Sequence, residues 1–219
     1  MTNLIAKQLL EKNFPSSLRS KFYPVIRRAY ENANLLLEQV DFFNWKVGRD
    51  FKRDLRRIAV EFGFKELAET GRYDFEIDIK PNARNNCRHV ELITKDCVLT
   101  ISQVSHINAL PRKAEFRQNH AVSNQLLLDF SEEDNYISNS DDKFYAVLTH
   151  GYLRKIPDFV ILGIPSTSLK EWHYKVNLIN EFQQFENYTS KETNIEQEEV
   201  RVRLKEYIQS QGEAVNEGR

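Results

Sequence analysis

The stretch YDFEIDIK, residues 73–80, decides the fold class, because apolar and charged side chains alternate in it. Tyr73, Phe75, Ile77 and Ile79 fall on one side, which predicts a strand with one buried face and one face in water. Upstream of this stretch, apolar residues recur every three or four positions instead. The change of period therefore separates a helical N-terminal part from a part rich in strands.

Three helices are expected before the strand. Leu4, Ile5, Leu9 and Leu10 indicate a short first helix. The second helix is predicted to start near Tyr23–Pro24 and to run through Val40. The third helix is predicted to bury one face, because five of its apolar residues are three or four positions apart. These residues are Val47, Phe51, Leu55, Ile58 and Phe62.

Further strands and a helix are expected downstream. Two arms of a hairpin, 89–95 and 97–104, are predicted to turn near residues 95–96, so the first three strands should be antiparallel. Pro111 suits the first turn of a helix that ends near Phe130, with Phe116 and Leu127 also on its inner side. Two short apolar runs, 144–149 and 159–164, are predicted to be buried strands.

The C-terminal part is less well determined by its pattern. Residues 172–185 fit a helix or a strand equally well, whereas residues 195–208 predict a helix followed by a frayed tail. The resulting fold class is α+β, with the order ααα-βββ-α-ββ-α and a central, mostly antiparallel sheet of about five strands. One domain over residues 1–219 is expected, comprising a helical part (1–70), a mixed sheet and helix part (71–185), and the C-terminal helix with its tail (186–219).

Composition restricts the class of protein. The 219 residues include 31 Lys and Arg against 32 Asp and Glu, so the net charge of −1 favours neither polyanions nor membranes globally. No apolar run is long enough for a signal peptide or a membrane span, and we therefore expect a cytoplasmic protein without a membrane partner. Cys87 and Cys97 are expected to be reduced thiols, and the cysteine and histidine spacing does not fit zinc. The sequence has no glycine-rich phosphate loop, which disfavours nucleotide-driven chemistry, and no cofactor is expected except Mg²⁺ under the nuclease alternative described below.

A cluster of positive charge on the third helix is the strongest functional signal. Residues 46–57 contain six basic and two acidic side chains. Guanidinium groups one helical turn apart can contact successive phosphates. The alternative is a solvated helix face on which Asp50 and Asp54 pair with neighbouring arginines. Two later segments, near positions 80–89 and 110–120, are also basic and could contact the same ligand. The predicted nucleic-acid contacts from all three segments are Lys46, Arg49, Arg53, Arg56, Arg57, Arg84, Arg88, Arg112, Lys113 and Arg117.

Aromatic residues precede this basic helix. Phe42, Phe43 and Trp45 could stack on bases or dock a partner. We favour core packing for them, because a dense apolar cluster usually seats a helix.

A row of carboxylates is the second signal. Asp74, Glu76 and Asp78 are two residues apart and should lie on one strand face, where their like charges require compensation. His89, Glu91 and Lys95 share a face of the next strand by the same arithmetic. Carboxylates beside a lysine could hold Mg²⁺ and activate water for phosphodiester cleavage. Under this alternative the predicted catalytic residues are Asp74, Asp78, Glu91 and Lys95, and the metal ligands among them are not determined.

The order helix, three strands, helix, strand over residues 46–150 resembles the core of the PD-(D/E)xK nuclease superfamily. That resemblance implies a Mg²⁺-dependent nuclease. The motif departs from the family pattern, because the family places Lys two residues after its Glu, whereas Ile93 occupies that position after Glu91 and Lys95 is four residues away. Arg84 and His89 also match the Arg-x4-His spacing of the HEPN ribonucleases, but they lead into a strand rather than a helical bundle, and we treat the match as coincidence.

Three functions thus follow from the sequence. The favoured one is a binding protein of bacterial or phage type that contacts DNA or RNA, or a protein partner, through the basic helix and loops. The first alternative is the Mg²⁺-dependent nuclease. The second is a protein-interaction module or inhibitor of a defence system, which would use the acidic loop 131–142 and the C-terminal helix. The sequence does not determine the oligomeric state.

Overall fold

The computed structural model describes residues 2–43, 45–82, 85–129 and 143–189, without the side chains of residues 2, 125–129 and 185–189. The predicted α+β class is confirmed. The helices in these ranges are α1 (Thr2–Asn13), α2 (Ser16–Gln39), α3 (Lys46–Asp50), α4 (Lys52–Glu69), α5 (Glu115–Asp129) and α6 (Leu178–Thr189), with a 3₁₀ turn at Asp41–Phe43. The strands are β1 (Glu76–Pro81), β2 (Arg88–Ile93), β3 (Cys97–Val104), β4 (Phe144–Gly151), β5 (Val160–Pro165) and β6 (Trp172–Asn177).

The strands form one six-stranded sheet in the order β1-β2-β3-β4-β5-β6. All neighbours are antiparallel except β3 and β4, which run parallel and are joined through α5. The sheet has one strand more than expected, because the ambiguous stretch 172–185 is divided between β6 and the first part of α6.

The predicted antiparallel arrangement of the first three strands is confirmed, but β1 and β2 are shorter than the pattern indicates. The Phe75 amide donates to the Tyr73 carbonyl, and this tight turn keeps Tyr73 and Asp74 out of β1. At the other end, the Thr94 amide donates to the Cys97 carbonyl and closes the turn between β2 and β3. Lys95 therefore belongs to the turn and not to the strand.

The two faces of the sheet are covered by different helices. Val60 and Phe64 of α4 share a core with Leu99 and Leu148, together with residues of α1 and α2. Neighbouring residues of a strand point to opposite faces. Tyr145 and Val147 accordingly face the other way and pack against Ala121 of α5. Helices α4 and α5 thus lie on opposite faces of the sheet.

Helix α2 begins at Ser16, so the predicted start near Tyr23–Pro24 is wrong. Pro24 lies inside the helix, where proline usually costs about 3 kcal/mol. The burial of Leu18, Phe22 and Ile26, spaced by four residues on one face, favours continuing the helix through it. The predicted first helix is confirmed as α1.

The third predicted helix is divided at Phe51 into α3 and α4, and its predicted buried face is wrong. Val60 and Phe64 are in the core, whereas the side chain of Ile58 is 46% exposed. The rings of Phe64 and Phe22 meet at 5.0 Å. A Cβ at Gly63 would lie 2.9 Å from Val25 Cγ1, so glycine permits the close approach of α4 to α2 at this point.

Helix α5 begins at Glu115 rather than at Pro111. The residues between them stay outside the helix, and the Arg112 carbonyl accepts a hydrogen bond from Arg117 Nη1.

The predictions for Phe130, for the acidic loop 131–142 and for the helix 195–208 lie outside the described residues. The chain divides into a compact unit of residues 1–182 and a second unit of residues 183–219, of which the end of α6 is described.

A buried polar contact joins α2 to the sheet. Tyr30 donates to the Gly151 carbonyl at 2.9 Å, and its hydroxyl lies 2.8 Å from His150 Nδ1. Burial lowers the pKa of His150 to about 3, so this imidazole is neutral.

Among the described residues, no helix is both long enough and apolar enough to cross a membrane.

Candidate functional sites

The predicted basic helix places its cations in different environments. Lys46, Arg49 and Arg53 are exposed, and they form no ion pair with any residue that the structure describes. Arg57 is different, because its guanidinium lies 3.1 Å from Glu61 and 3.9 Å from Asp54. The alternative of a self-neutralised helix face thus applies to Arg57 but not to the three exposed cations.

Arg56, one of the predicted nucleic-acid contacts, is buried rather than exposed. Its side chain is only 2% exposed, and its guanidinium lies 4.9 Å from the centre of the Tyr30 ring. Nη1 donates to the Tyr152 carbonyl at 3.1 Å, and Nη2 donates to Asn34 Oδ1 at 2.8 Å. Burial lowers the pKa of Arg56. Arg56 therefore joins α4 to α2 and to the loop between β4 and β5.

That loop, residues 152–159, brings further cations beside the start of α4. Arg53 lies over the Tyr152 ring at 4.3 Å. Lys155 is held by Asn34 Nδ2, which donates to its carbonyl at 2.8 Å. Burial lowers the pKa of the Lys52 ammonium, and the positive charges of Arg56 and Lys155 lower it further. The contacts of Arg53 and Arg56 with Tyr152 place the start of α4 against the loop that carries Lys155.

Aromatic side chains around the same helix start are exposed, contrary to the core packing that we favoured from the sequence. Phe42 is 64% exposed, Trp45 is 59% exposed and Phe51 is 48% exposed. Residues 42–43 and 45–53, together with the loop, therefore form one surface, which we call the basic-aromatic surface. Its residues are Lys46, Arg49, Lys52, Arg53, Arg154, Lys155, Phe42, Trp45, Phe51 and Tyr152.

The remaining predicted nucleic-acid contacts do not join this surface. Arg84 lies outside the described residues. Arg88 borders a groove of about 200 Å³ between α4 and the β1–β2 edge of the sheet. Arg112 and Lys113 are exposed just before α5, and Arg117 donates from Nη2 to Ser102 Oγ at 2.8 Å. Because α5 covers the opposite face of the sheet, the basic segments do not form one groove.

The predicted carboxylates are brought together only in part. Asp78 on β1 faces Glu91 on β2, and Lys80 faces His89 in the same ladder. Lys80 Nζ lies 3.4 Å from Asp78 Oδ2 and 3.5 Å from Glu91 Oε2. The two carboxylates that the sequence placed on facing strands therefore share one ammonium group.

Two histidines complete this group around Glu91. Glu91 Oε1 lies 2.9 Å from Nε2 of His120 and 3.1 Å from Nε2 of His89. The His89 ring stacks on Phe116 of α5 at 3.8 Å. We call Asp78, Lys80, His89, Glu91 and His120 the Glu91 cluster; it lies on the face of the sheet that α5 covers.

Glu91 carries a negative charge despite its 1% exposure. Burial alone would raise its carboxyl pKa, but the hydrogen bonds from His120 and His89 and the charge of Lys80 outweigh burial and lower the pKa to about 2. Glu91 also raises the pKa of Lys80, which is partly exposed. Glu91 Oε2 has no hydrogen-bond partner among the described groups, since Lys80 Nζ is at ion-pair distance only.

Asp74 and Lys95 do not belong to the cluster. Asp74 is exposed before β1. Lys95 is exposed in the β2–β3 turn, four residues from Glu91, which along a strand is about 13 Å. The structure therefore does not bring these two predicted catalytic residues together with Asp78 and Glu91. In the parts of the chain that are described, no group of three or more His, Cys, Asp or Glu side chains could hold a metal ion.

Sequence reasoning missed Lys80 and His120 as members of the cluster. Lys80 could have been found, because it follows Asp78 by two residues, the acid-to-lysine spacing of the nuclease superfamily named above. His120 could not, because its position depends on how α5 crosses between β3 and β4. Tyr145, whose ring stacks near His120 at 5.4 Å, was likewise assigned only to a buried strand.

Comparison with known proteins gives no relationship on which to base a function. No family model matches the chain, and no curated protein and no solved structure matches it.

Proposed function

We propose that this protein binds nucleic acid through the basic-aromatic surface. The observation that carries the proposal is the set of exposed cations, Lys46, Arg49 and Arg53, that have no acidic partner in the described parts of the chain. A cation that is already paired gains little from a phosphate, because it must first give up its carboxylate. Unpaired cations keep their full attraction for a polyanion and gain affinity by releasing its counterions.

The loop between β4 and β5 adds to this attraction. Lys155 lies 3.6 Å from Glu38, but both side chains are largely exposed, and such a pair contributes little. The basic charge therefore extends from one helix start onto a second segment. A ligand that spans both would carry several negative charges along one backbone, as nucleic acid does.

Fluorescence anisotropy with labelled single-stranded and duplex oligonucleotides at 50 mM NaCl tests the proposal. The variant Arg49→Gln/Arg53→Gln removes two unpaired cations and should weaken binding about tenfold or more. The control Arg112→Gln/Lys113→Gln removes the same formal charge on the side of the sheet that α5 covers and should leave affinity within about twofold. Equal losses in both variants, or binding of neither oligonucleotide, would contradict the proposal. Capture of a protein in place of nucleic acid would point to the interaction module instead.

A second candidate is phosphodiester cleavage at the Glu91 cluster. The specific observation in its favour is that Asp78 and Glu91 share Lys80, with a carboxylate oxygen of Glu91 left without a hydrogen bond. Oxygen donors suit Mg²⁺, so Asp78 and Glu91 would hold the ion, with water and substrate oxygens as its other ligands. When bound, the metal would polarise the phosphodiester and a water molecule. In this arrangement Lys80 neutralises negative charge near the scissile phosphate.

Incubation of the purified chain with plasmid and with RNA, with and without Mg²⁺, tests this candidate. Cleavage that needs Mg²⁺ and is lost in both Asp78→Asn and Glu91→Gln would support it. Cleavage retained in either folded variant would exclude this site.

A further inference from the structure

The basic-aromatic surface combines unpaired cations with exposed aromatic rings. Phe42, Trp45 and Phe51 are each about half exposed or more. Soluble proteins scatter single apolar residues over their surfaces, but aromatic rings grouped within ten residues of sequence mark a binding surface more often. A ligand that covers these rings would remove apolar area from water.

Neighbouring groups hold the rings in place. Phe43 stacks parallel to Phe51, with ring centres 6.1 Å apart and planes 9° apart, and Phe42 meets Phe43 at 4.2 Å. A Cβ at Gly48 would lie 2.9 Å from the Trp45 ring and would overlap the Phe42 carbonyl. Glycine at this position thus lets the 3₁₀ turn and α3 approach closely, which fixes the spacing of the rings.

The same segment alternates rings with cations. Between Phe42 and Arg53 the chain carries the cations Lys46, Arg49 and Lys52 and one carboxylate, Asp50. The guanidinium of Arg53 lies over the Tyr152 ring, 4.3 Å from its centre, which places one further aromatic ring beside a cation. Proteins that bind single strands without regard to sequence combine a positive track for phosphates with aromatic rings for bases. In a duplex the base faces are already stacked and cannot meet these rings.

We infer that the ligand of the basic-aromatic surface is single-stranded nucleic acid, whose bases stack on Trp45, Phe42 and Phe51 while Lys46, Arg49 and Arg53 contact its phosphates. The inference rests on the proposed function and adds the strandedness and the mode of contact. An anionic lipid surface shares the charge but has no planar groups for the rings, and the apolar face of α4 at Val60 and Phe64 is already buried in the core.

An oligonucleotide without bases separates stacking from phosphate contact. We would measure binding of the full chain to a labelled 20-nucleotide thymidine strand, to an abasic 20-mer with the same phosphates, and to a duplex of equal length. Stacking contributes about 1–3 kcal/mol per base, so we expect the thymidine strand to bind roughly tenfold or more tightly than the abasic strand.

Three variants sharpen the test. Trp45→Ala should bind the thymidine strand about tenfold more weakly and the abasic strand unchanged, and Trp45→Phe should restore most of the affinity. The control Leu4→Ala, a large exposed apolar residue on α1, should bind as the wild type does. Equal affinity for thymidine and abasic strands, or tighter binding of the duplex, would overturn the inference and leave the proposed function standing. No binding to any oligonucleotide, or binding to phosphatidylserine vesicles instead, would overturn both.

Discussion

Replacing Glu91 by Gln tests the electrostatic description of the Glu91 cluster. The folded protein lowers the pKa of this carboxyl from an ordinary 4.5 to about 2. At about 1.36 kcal/mol for each unit of pKa, the charged form stabilises the fold by about 3 kcal/mol. Because the pKa is lowered, this contribution is complete above pH 4.5 and is lost as the pH falls towards 2.

Glu91→Gln should therefore reduce the free energy of unfolding by about 3 kcal/mol at pH 5.5. The difference from the wild type should shrink by about 2 kcal/mol between pH 5.5 and pH 3, because the carboxyl of the unfolded chain is protonated below its pKa of 4.5 while the folded carboxylate stays largely charged. The neutral, buried His150 also destabilises the fold as the pH falls from 6.5 towards 3, but it does so in both proteins and cancels in the comparison.

Urea denaturation followed by circular dichroism at the two pH values gives these free energies. Asp78→Asn is the matched control, because Asp78 pairs with the same Lys80 but its side chain is 48% exposed. Such a pair contributes about 0–1 kcal/mol. A loss below about 0.5 kcal/mol for Glu91→Gln at pH 5.5, or a difference that stays constant down to pH 3, would refute the reasoning.

Two further predictions concern α4. Phe64→Ala should lower the free energy of unfolding by about 3–5 kcal/mol, because Phe64 is fully buried. Ile58→Ala should lower it by less than about 1 kcal/mol, because Ile58 is 46% exposed. If thermal and urea denaturation rank the two variants in the opposite order, the helix buries its other face. Arg56→Met should cost about 1–3 kcal/mol in the same assay, since it leaves the Tyr152 carbonyl and Asn34 without their partner, but it should not alter affinity for an oligonucleotide. If folded Arg56→Met binds the oligonucleotide much more weakly than the wild type, Arg56 contributes to the binding surface and this prediction is wrong.

The sequence predicts the sheet better than the helices. The alternation in residues 73–80 identifies β1, although Ile79 of its predicted buried face is 50% exposed, and the spacing of two correctly predicts that Asp78 and Glu91 face the same side. An alternating pattern fixes which side chains of a strand face the core, because a shift of the strand by one residue would turn all of its apolar side chains to the opposite face. Helix α4 carries two apolar sets at helical spacing, and only the packing against α2 decides that Val60 and Phe64 are buried.

The sites depend on contacts that are distant in sequence, and these could be predicted only in part. A row of arginines indicates positive charge, but it does not show which arginine faces solvent. Arg56 is buried because it donates to Asn34 and to the Tyr152 carbonyl, which is 96 residues away in sequence. Trp45, which is 59% exposed, likewise precedes a helix, α3, in which no residue is buried. His120 reaches Glu91 only because α5 crosses the sheet between two parallel strands.

The salt dependence of binding tests the claim of phosphate contact at the basic-aromatic surface most directly. A single strand whose phosphates contact Lys46, Arg49 and Arg53 should give a slope of log affinity against log salt concentration of about −2. In Arg49→Gln/Arg53→Gln the slope should flatten by about two thirds, whereas in Arg112→Gln/Lys113→Gln it should stay the same. A wild-type slope near zero, or equal slopes in the wild type and the Arg49→Gln/Arg53→Gln variant, would contradict the account.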